Sequence, residues 1–333
     1  MKNFLKVILL VYFLLVNRGH LLGQTTALKS GNVRITAYVE LDDDATDRTV
    51  PYSQINYLNI AFVNPDKKTG QLVVPEAAKQ MIADAKADSV KVMAVIGGRD
   101  IHGILYRLIK PKNLDAFIAN IIQVLDTNQF NGVDIDFENH LVNRDYPGFI
   151  SALAAALKPL RLELTVAVCT DFVNNKKYLH PGMLKDVDFV NIMSYDKYDD
   201  NQPRQQASYE LADADIKYWR DTMLVPHERI GVGVPFYGNL FYRSGNGYLK
   251  DPNEFPYRNI VSHNNASADS DTVHLGTDSI VYYNGLAMIT RKAKLALDEV
   301  GGLMIWKVYE DVQGNNSLLG AIHEVVDKKY IKP

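Results

Sequence analysis

The stretch Asn131-Gly132-Val133-Asp134-Ile135-Asp136-Phe137-Glu138 carries an acid at every second position from Asp134 and apolar residues between them. Successive side chains of a β-strand point to opposite faces. As a strand, the segment presents Asp134, Asp136 and Glu138 on one face and Val133, Ile135 and Phe137 on the other. The apolar set suits packing against helices, so the acids face inward. Three carboxylates on one buried face are costly. Each raises its neighbours' pKa, and loss of water raises them further. The expected outcome is one acid kept protonated near neutral pH, the state a general acid needs. Glu138 is the last of the three and is the expected proton donor. Asp136 is expected to share a proton and reorient, with Asp134 tuning it from below. Two other arrangements fit the same residues: an exposed acidic edge strand, and a Mg²⁺ or Ca²⁺ site, because inward carboxylates suit hard cations.

A face of acids needs a scaffold that holds it. Eight short apolar segments recur along the chain, at 33–39, 55–62, 90–96, 132–136, 162–168, 189–193, 230–234 and 303–306. Several are nearly continuous in Val and Ile, as strands buried on both faces should be. Helical patterns are expected at 76–87, 114–125, 149–160, 212–223, 286–300 and 318–326. Phe117, Ile121 and Leu125 recur at four-residue spacing, as do Phe149, Leu153 and Leu157. Strands alternating with helices predict an α/β fold, a (β/α)8 TIM barrel spanning 28–331 as a single domain. Residues 239–279 break the pattern. They are rich in Asn, Asp, Ser and Tyr and read as an elaborated loop between strand 7 and strand 8, with room for a β-hairpin.

Composition narrows the function classes. The chain has 333 residues, 47% hydrophobic and 23% charged, with a formal net charge of −3. That balance excludes a disordered chain and lacks the basic excess that nucleic-acid binding requires. Residues 1–23 read as a signal peptide: Lys2 and Lys6 precede ten apolar residues at 7–16, and Gly23 supplies a small residue near the end. A membrane span takes about 20 apolar residues, so export is the better reading and a short anchor the alternative. The expected localisation is secreted or periplasmic, with no stable membrane insertion after removal of the signal. The single cysteine, Cys169, follows an apolar run and is expected to fill core. No internal disulfide can form. No HExxH or paired-Cys ligand set is present, and no cofactor is expected.

The acidic stretch resembles the DxxDxDxE signature of glycoside hydrolase family 18, the chitinase type. Other segments are similar to that family's motifs in the same order: Ile96-Gly97-Gly98, Met193-Ser194-Tyr195-Asp196, Gly233-Val234-Pro235-Phe236-Tyr237-Gly238, and Gly301-Gly302-Leu303-Met304-Ile305-Trp306 with Asp311 after it. The resemblance runs from about residue 33 to residue 325. It implies a retaining, substrate-assisted hydrolase acting on β-1,4-linked N-acetylglucosamine, in which the sugar's own 2-acetamido group attacks its anomeric carbon. In that scheme Glu138 acts as acid and then base. Asp136 holds the acetamido N–H, and Tyr195 donates to the acetamido oxygen. Trp306 floors the pocket. Asp196, Met193, Tyr38, Phe62 and Tyr237 are the further expected substrate-binding positions. The implied partner is an oligo- or polysaccharide containing N-acetylglucosamine, bound by a monomer.

The chain also departs from the family pattern. Asn131 stands where the signature begins with Asp, and Phe137 stands where Trp is usual. Val95 replaces a Ser before the double glycine, Arg99-Asp100 replace an aromatic platform, and Asn239 replaces an Arg. These changes leave chitooligosaccharides, N-glycan cores and binding without turnover as alternatives.

Overall fold

The segments with continuous Val and Ile pair as parallel strands, because each is covered on both faces. The computed structural model describes residues 33–41, 48–98, 102–171, 173–197, 199 and 202–330. The expected signal at 1–23, and Arg99 and Asp100, lie outside the described residues. Eight strands close a barrel: β1 (Arg34–Glu40), β2 (Tyr57–Ala61), β3 (Lys91–Gly97), β4 (Gly132–Asp136), β5 (Glu163–Val168), β6 (Phe189–Ile192), β7 (Ile230–Pro235) and β12 (Gly302–Trp306). They run in chain order around the wall, and β12 pairs with β1 to shut it. The TIM barrel expected from the sequence is the fold.

Helices wrap the outside: α1 (Glu76–Ala87), α2 (His102–Leu108), α3 (Pro111–Thr127), α4 (Tyr146–Leu157), α5 (Val173–Tyr178), α6 (Tyr209–Lys217), α8 (Leu286–Glu299) and α9 (Leu318–Tyr330). Between α6 and α8, α7 (Tyr257–His263) belongs to the inserted region. The apolar stripe of α3 buries Phe117, Ile118, Ile121 and Leu125. Phe117 stacks on Phe149 of α4, with ring centroids 5.7 Å apart. Phe149 in turn stacks on Phe137, at 5.6 Å. The apolar side of the β4 segment is therefore the helix side, as its alternation predicts.

The region expected as a loop with a hairpin is larger than that. It forms a four-stranded antiparallel sheet of β8 (Tyr237–Ser244), β9 (Gly247–Pro256), β10 (Thr272–His274) and β11 (Ser279–Tyr282), in the order β10-β11-β8-β9. The sheet is inserted between β7 and β12. Among the described residues no helix is long and apolar enough to cross a membrane.

Candidate active site

All five residues of β4 are buried. Asp134 points into the barrel interior. It accepts hydrogen bonds from the Tyr38 hydroxyl at 2.7 Å, from Asn191 Nδ2 at 3.2 Å and from the Thr165 hydroxyl. Asn191 also donates to the Tyr38 oxygen at 3.0 Å. Burial raises the Asp134 carboxyl, opposed by Thr165, Tyr38, Arg34 and Asn191. The Tyr38 hydroxyl is pushed well above the usual tyrosine range by burial, then by Asp134 and Asp136. It therefore keeps its proton and remains a donor to Asp134. Asp134 does not line the cavity above it and is a buried anchor beneath Asp136.

That cavity, of about 940 Å³, opens at the C-terminal ends of the barrel strands. Asp136, Glu138, Tyr195, Asp196 and Trp306 all line it. Met193, Tyr38 and Phe62 line it as well. Eight of the ten expected site residues thus converge on one space.

Two glycines make the convergence possible. At Gly97, φ is +144°, and an added Cβ would lie 1.9 Å from the Asp136 carbonyl oxygen. The bare backbone lets β3 close on β4, and Gly98 N–H donates to that same oxygen at 2.9 Å. At Gly233 a Cβ would come within 2.8 Å of Cε1 of Tyr195. The glycine of the β7 motif leaves the space that the Tyr195 ring occupies.

Tyr195 is nearly buried, and among the described residues its hydroxyl meets only the weak acceptor Met304 Sδ, at 3.6 Å. Burial, then Asp136, Asp196, Glu254 and Glu138, push its pKa well above the usual tyrosine range. The group is a neutral hydroxyl at any physiological pH, with a proton to donate. Asp196 follows in the left-handed region at φ +61°. Gln206 Oε1 accepts its backbone N–H at 2.9 Å.

Tyr237 requires a correction. It was expected to bind substrate, but it is fully buried and does not line the cavity. Its hydroxyl donates to Asp196 Oδ1 at 2.6 Å. It holds the Asp196 carboxylate from outside the cavity lining. Cys169 differs in the other direction. It is half-buried and lines the cavity, because β5 ends one residue earlier and its chain turns into the rim.

Sequence reasoning missed a charged wall on the β1–β12 side. Lys307 Nζ lies 2.9 Å from Glu40 and from Glu254 and 3.5 Å from Glu310. All four line the cavity. Burial alone would lower the Lys307 ammonium, but Glu254, Glu310 and Glu40 outweigh it and raise it. Burial, with Glu254 adding, pushes the Glu310 carboxyl up to about 8 against the pull of Lys307. Lys307 and Glu310 follow Trp306 at the end of the last strand, and that position was a usable signal. Glu254 sits in the inserted sheet, where the sequence offers no period to place it. Asp215 of α6 also lines the cavity and was not foreseen. Burial raises it, and Thr170 and Ser194 oppose that.

Two of the departures, Asn131 and Asn239, fall in structural positions. Asn131 Oδ1 accepts the Val92 backbone N–H at 2.8 Å, so the place uses a carbonyl oxygen that Asn supplies as well as Asp. Asn239 is buried in β8 at 1% exposure, away from the cavity. Among the described residues no group of three or more His, Cys, Asp or Glu side chains is placed to hold a metal ion.

Comparison with known proteins places this geometry in a family. The profile of glycosyl hydrolases family 18 matches residues 34–311. The family 18 chitinase from the chitin utilization locus of Flavobacterium johnsoniae superposes with a TM-score of 0.77 at 29% identity, covering 90% of this chain and 95% of that one. The class V chitinase of Nicotiana tobaccum in complex with NAG4 shares the fold at a TM-score of 0.71 and 17% identity, covering 89% and 99%. Nod factor hydrolase protein 1 of Medicago truncatula is 25% identical over 62% of this chain. The match spans 60% of that relative's own length.

Proposed function

Because the chain belongs to glycosyl hydrolase family 18, we propose that it is an exported glycosidase cleaving β-1,4-linked N-acetylglucosamine, with chitooligosaccharides as the substrate class. The observation that carries this reading is the meeting of Asp136, Glu138, Tyr195 and Trp306 on one cavity. The chitinases it resembles support the substrate class. The N-terminal segment with its basic start and apolar run supports export.

The mechanism follows from which groups can reach a sugar. Asp136 and Glu138 come from the end of one strand, and the carboxylates of the opposite wall, Glu40, Glu254 and Glu310, are gathered on Lys307 rather than offered to the sugar as the nucleophile of an ordinary retaining enzyme. Substrate assistance resolves this. The sugar rests on Trp306. Its acetamido oxygen attacks the anomeric carbon while Glu138 gives a proton to the leaving oxygen. Asp136 accepts the acetamido N–H and offsets its growing positive charge. The Tyr195 hydroxyl donates to the acetamido oxygen and aims it. Glu138, now a carboxylate, takes a proton from water as that water opens the cyclic intermediate. The configuration at the anomeric carbon is retained.

The test sets chitooligosaccharides beside a high-mannose N-glycan, with parent and Glu138→Gln. The expected result is cleavage of the chitooligosaccharide with retention, and a kcat lowered about 10³-fold in Glu138→Gln. A variant that turns over as fast as the parent removes Glu138 as the acid. Release of the N-glycan alone moves the substrate to glycan cores. Tight binding with no product makes the protein a lectin on an enzyme fold.

A further inference from the structure

The inserted sheet reaches the cavity through a carboxylate that grips two consecutive residues. Trp306 Nε1 donates to Glu254 Oε1 at 3.1 Å. Lys307 Nζ stands 2.9 Å from Glu254 Oε2. Each oxygen of one side chain on β9 therefore holds one residue at the end of β12. The indole nitrogen is a donor with no acceptor capacity, so this bond fixes which edge of the ring faces the inserted sheet. Ring packing alone does not. Tyr38 and Phe62 approach Trp306 in tilted contacts, with centroids at 5.7 Å and 6.2 Å. Neither stacks flat against the indole and clamps its plane. Lys307 in turn is held from the barrel side by Glu40, so Glu254 is braced at both oxygens.

We propose that Glu254 is a positioning residue: it sets the plane of the Trp306 indole, and through it the inserted sheet acts on the sugar bound above. The inference rests on the reading that Trp306 floors the sugar site. A floor that can rock costs little when a relaxed sugar binds. It costs more when the ring distorts toward the transition state and must be met at one angle. The loss therefore falls on kcat more than on KM.

Two substitutions separate positioning from a merely structural role. Glu254→Gln keeps an acceptor oxygen for the indole and gives up the charge facing Lys307. Glu254→Ala gives up both. The readouts are kcat and KM on chitotetraose, and time-resolved fluorescence anisotropy of Trp306. The protein has two tryptophans, and Trp219 is buried, with its N–H on Thr170. A Trp219→Phe background makes Trp306 the sole tryptophan, and excitation at the red edge of its absorption leaves the tyrosines dark. Glu254→Ala is expected to lower kcat about tenfold with KM changed less than about threefold, and to add a nanosecond component to the Trp306 anisotropy decay. Glu254→Gln is expected to restore both. If Glu254→Gln is as impaired as Glu254→Ala, charge and not the indole bond matters, and the proposal falls. An unchanged anisotropy decay in Glu254→Ala overturns it equally. A parent inactive on chitotetraose refutes the proposed function alone, because the anisotropy still reports whether Glu254 holds the indole.

Discussion

Tyr195 offers a hydroxyl to the cavity while depending on it for almost nothing. Among the described residues its oxygen meets only Met304 Sδ, at 3.6 Å, and its ring is held by Tyr237 in an edge contact at 6.3 Å. Tyr195→Phe keeps the ring and deletes the donor. Stability is expected to stay within about 1 kcal/mol of the parent, since the lost bond is weak. The rate is expected to fall about 100-fold, the scale for removing one donor that meets charge as it develops. Thermal unfolding and kcat on a chitooligosaccharide check the two halves separately. A large loss of stability with little loss of rate would make Tyr195 core. At this scale the sequence was legible where spacing carried the information. The period of two in Asp134, Asp136 and Glu138 placed one of them beneath the cavity and two on its wall. It was not legible for Tyr237, whose motif gives its neighbours but not its depth. Nor was it for Glu254, because an isolated acid among Asn and Asp on a polar strand has no pattern to distinguish it.

The strands hold these groups only because their ends can touch. Asn64 clamps Gly97 from both sides, accepting its N–H at 3.0 Å and donating to its oxygen at 2.9 Å. Gly97→Ala must push its methyl against the Asp136 carbonyl or move the peptide that carries Asp136. The backbone there is also strained for any residue with a Cβ. The expected cost is about 3 kcal/mol or more, with a parallel loss of activity. Gly103→Ala is the control. Its Cβ meets nothing within 4 Å in helix α2, and the substitution is expected to stabilise by about 0.5–1 kcal/mol. Urea midpoints of the two variants should move in opposite directions. All eight barrel strands were legible within about two residues, because burial on both faces writes a continuous apolar run. The inserted sheet was not. β9 mixes exposed and half-buried residues without a regular period and β10 has three residues, so neither presents an apolar face to read. The helices α2, α5 and α7, of six or seven residues, are too short for a stripe to repeat.

At the scale of the whole molecule, two buried groups with opposite shifts pull stability in opposite directions as pH changes. Glu310 holds its proton up to about 8 in the folded chain against 4.5 when free. Between those values the folded state binds the extra proton, so stability falls as pH rises from about 4.5 to about 8. Lys292 runs the other way. It is fully buried on α8, donating to the Ala207 carbonyl at 2.7 Å and to Asn284 Oδ1 at 2.8 Å. Burial lowers its pKa from 10.5 to about 7, with Asp271, Asp215 and Glu210 opposing. Between about 7 and 10.5 the unfolded chain binds the extra proton, and stability from this group rises with pH. Ala207 adjoins Gln206, which holds Asp196, so charging Lys292 below about 7 loads the same loop that positions the site. Neutral replacements expose each contribution. The stability of the parent relative to Glu310→Gln should decline from pH 5 to pH 8, by about 3 kcal/mol, and level off above. Relative to Lys292→Met it should climb from pH 7 to pH 9. Denaturant unfolding at each pH gives both differences, and curves that stay parallel for either pair would mean that the group in question titrates alike in the folded and unfolded chain.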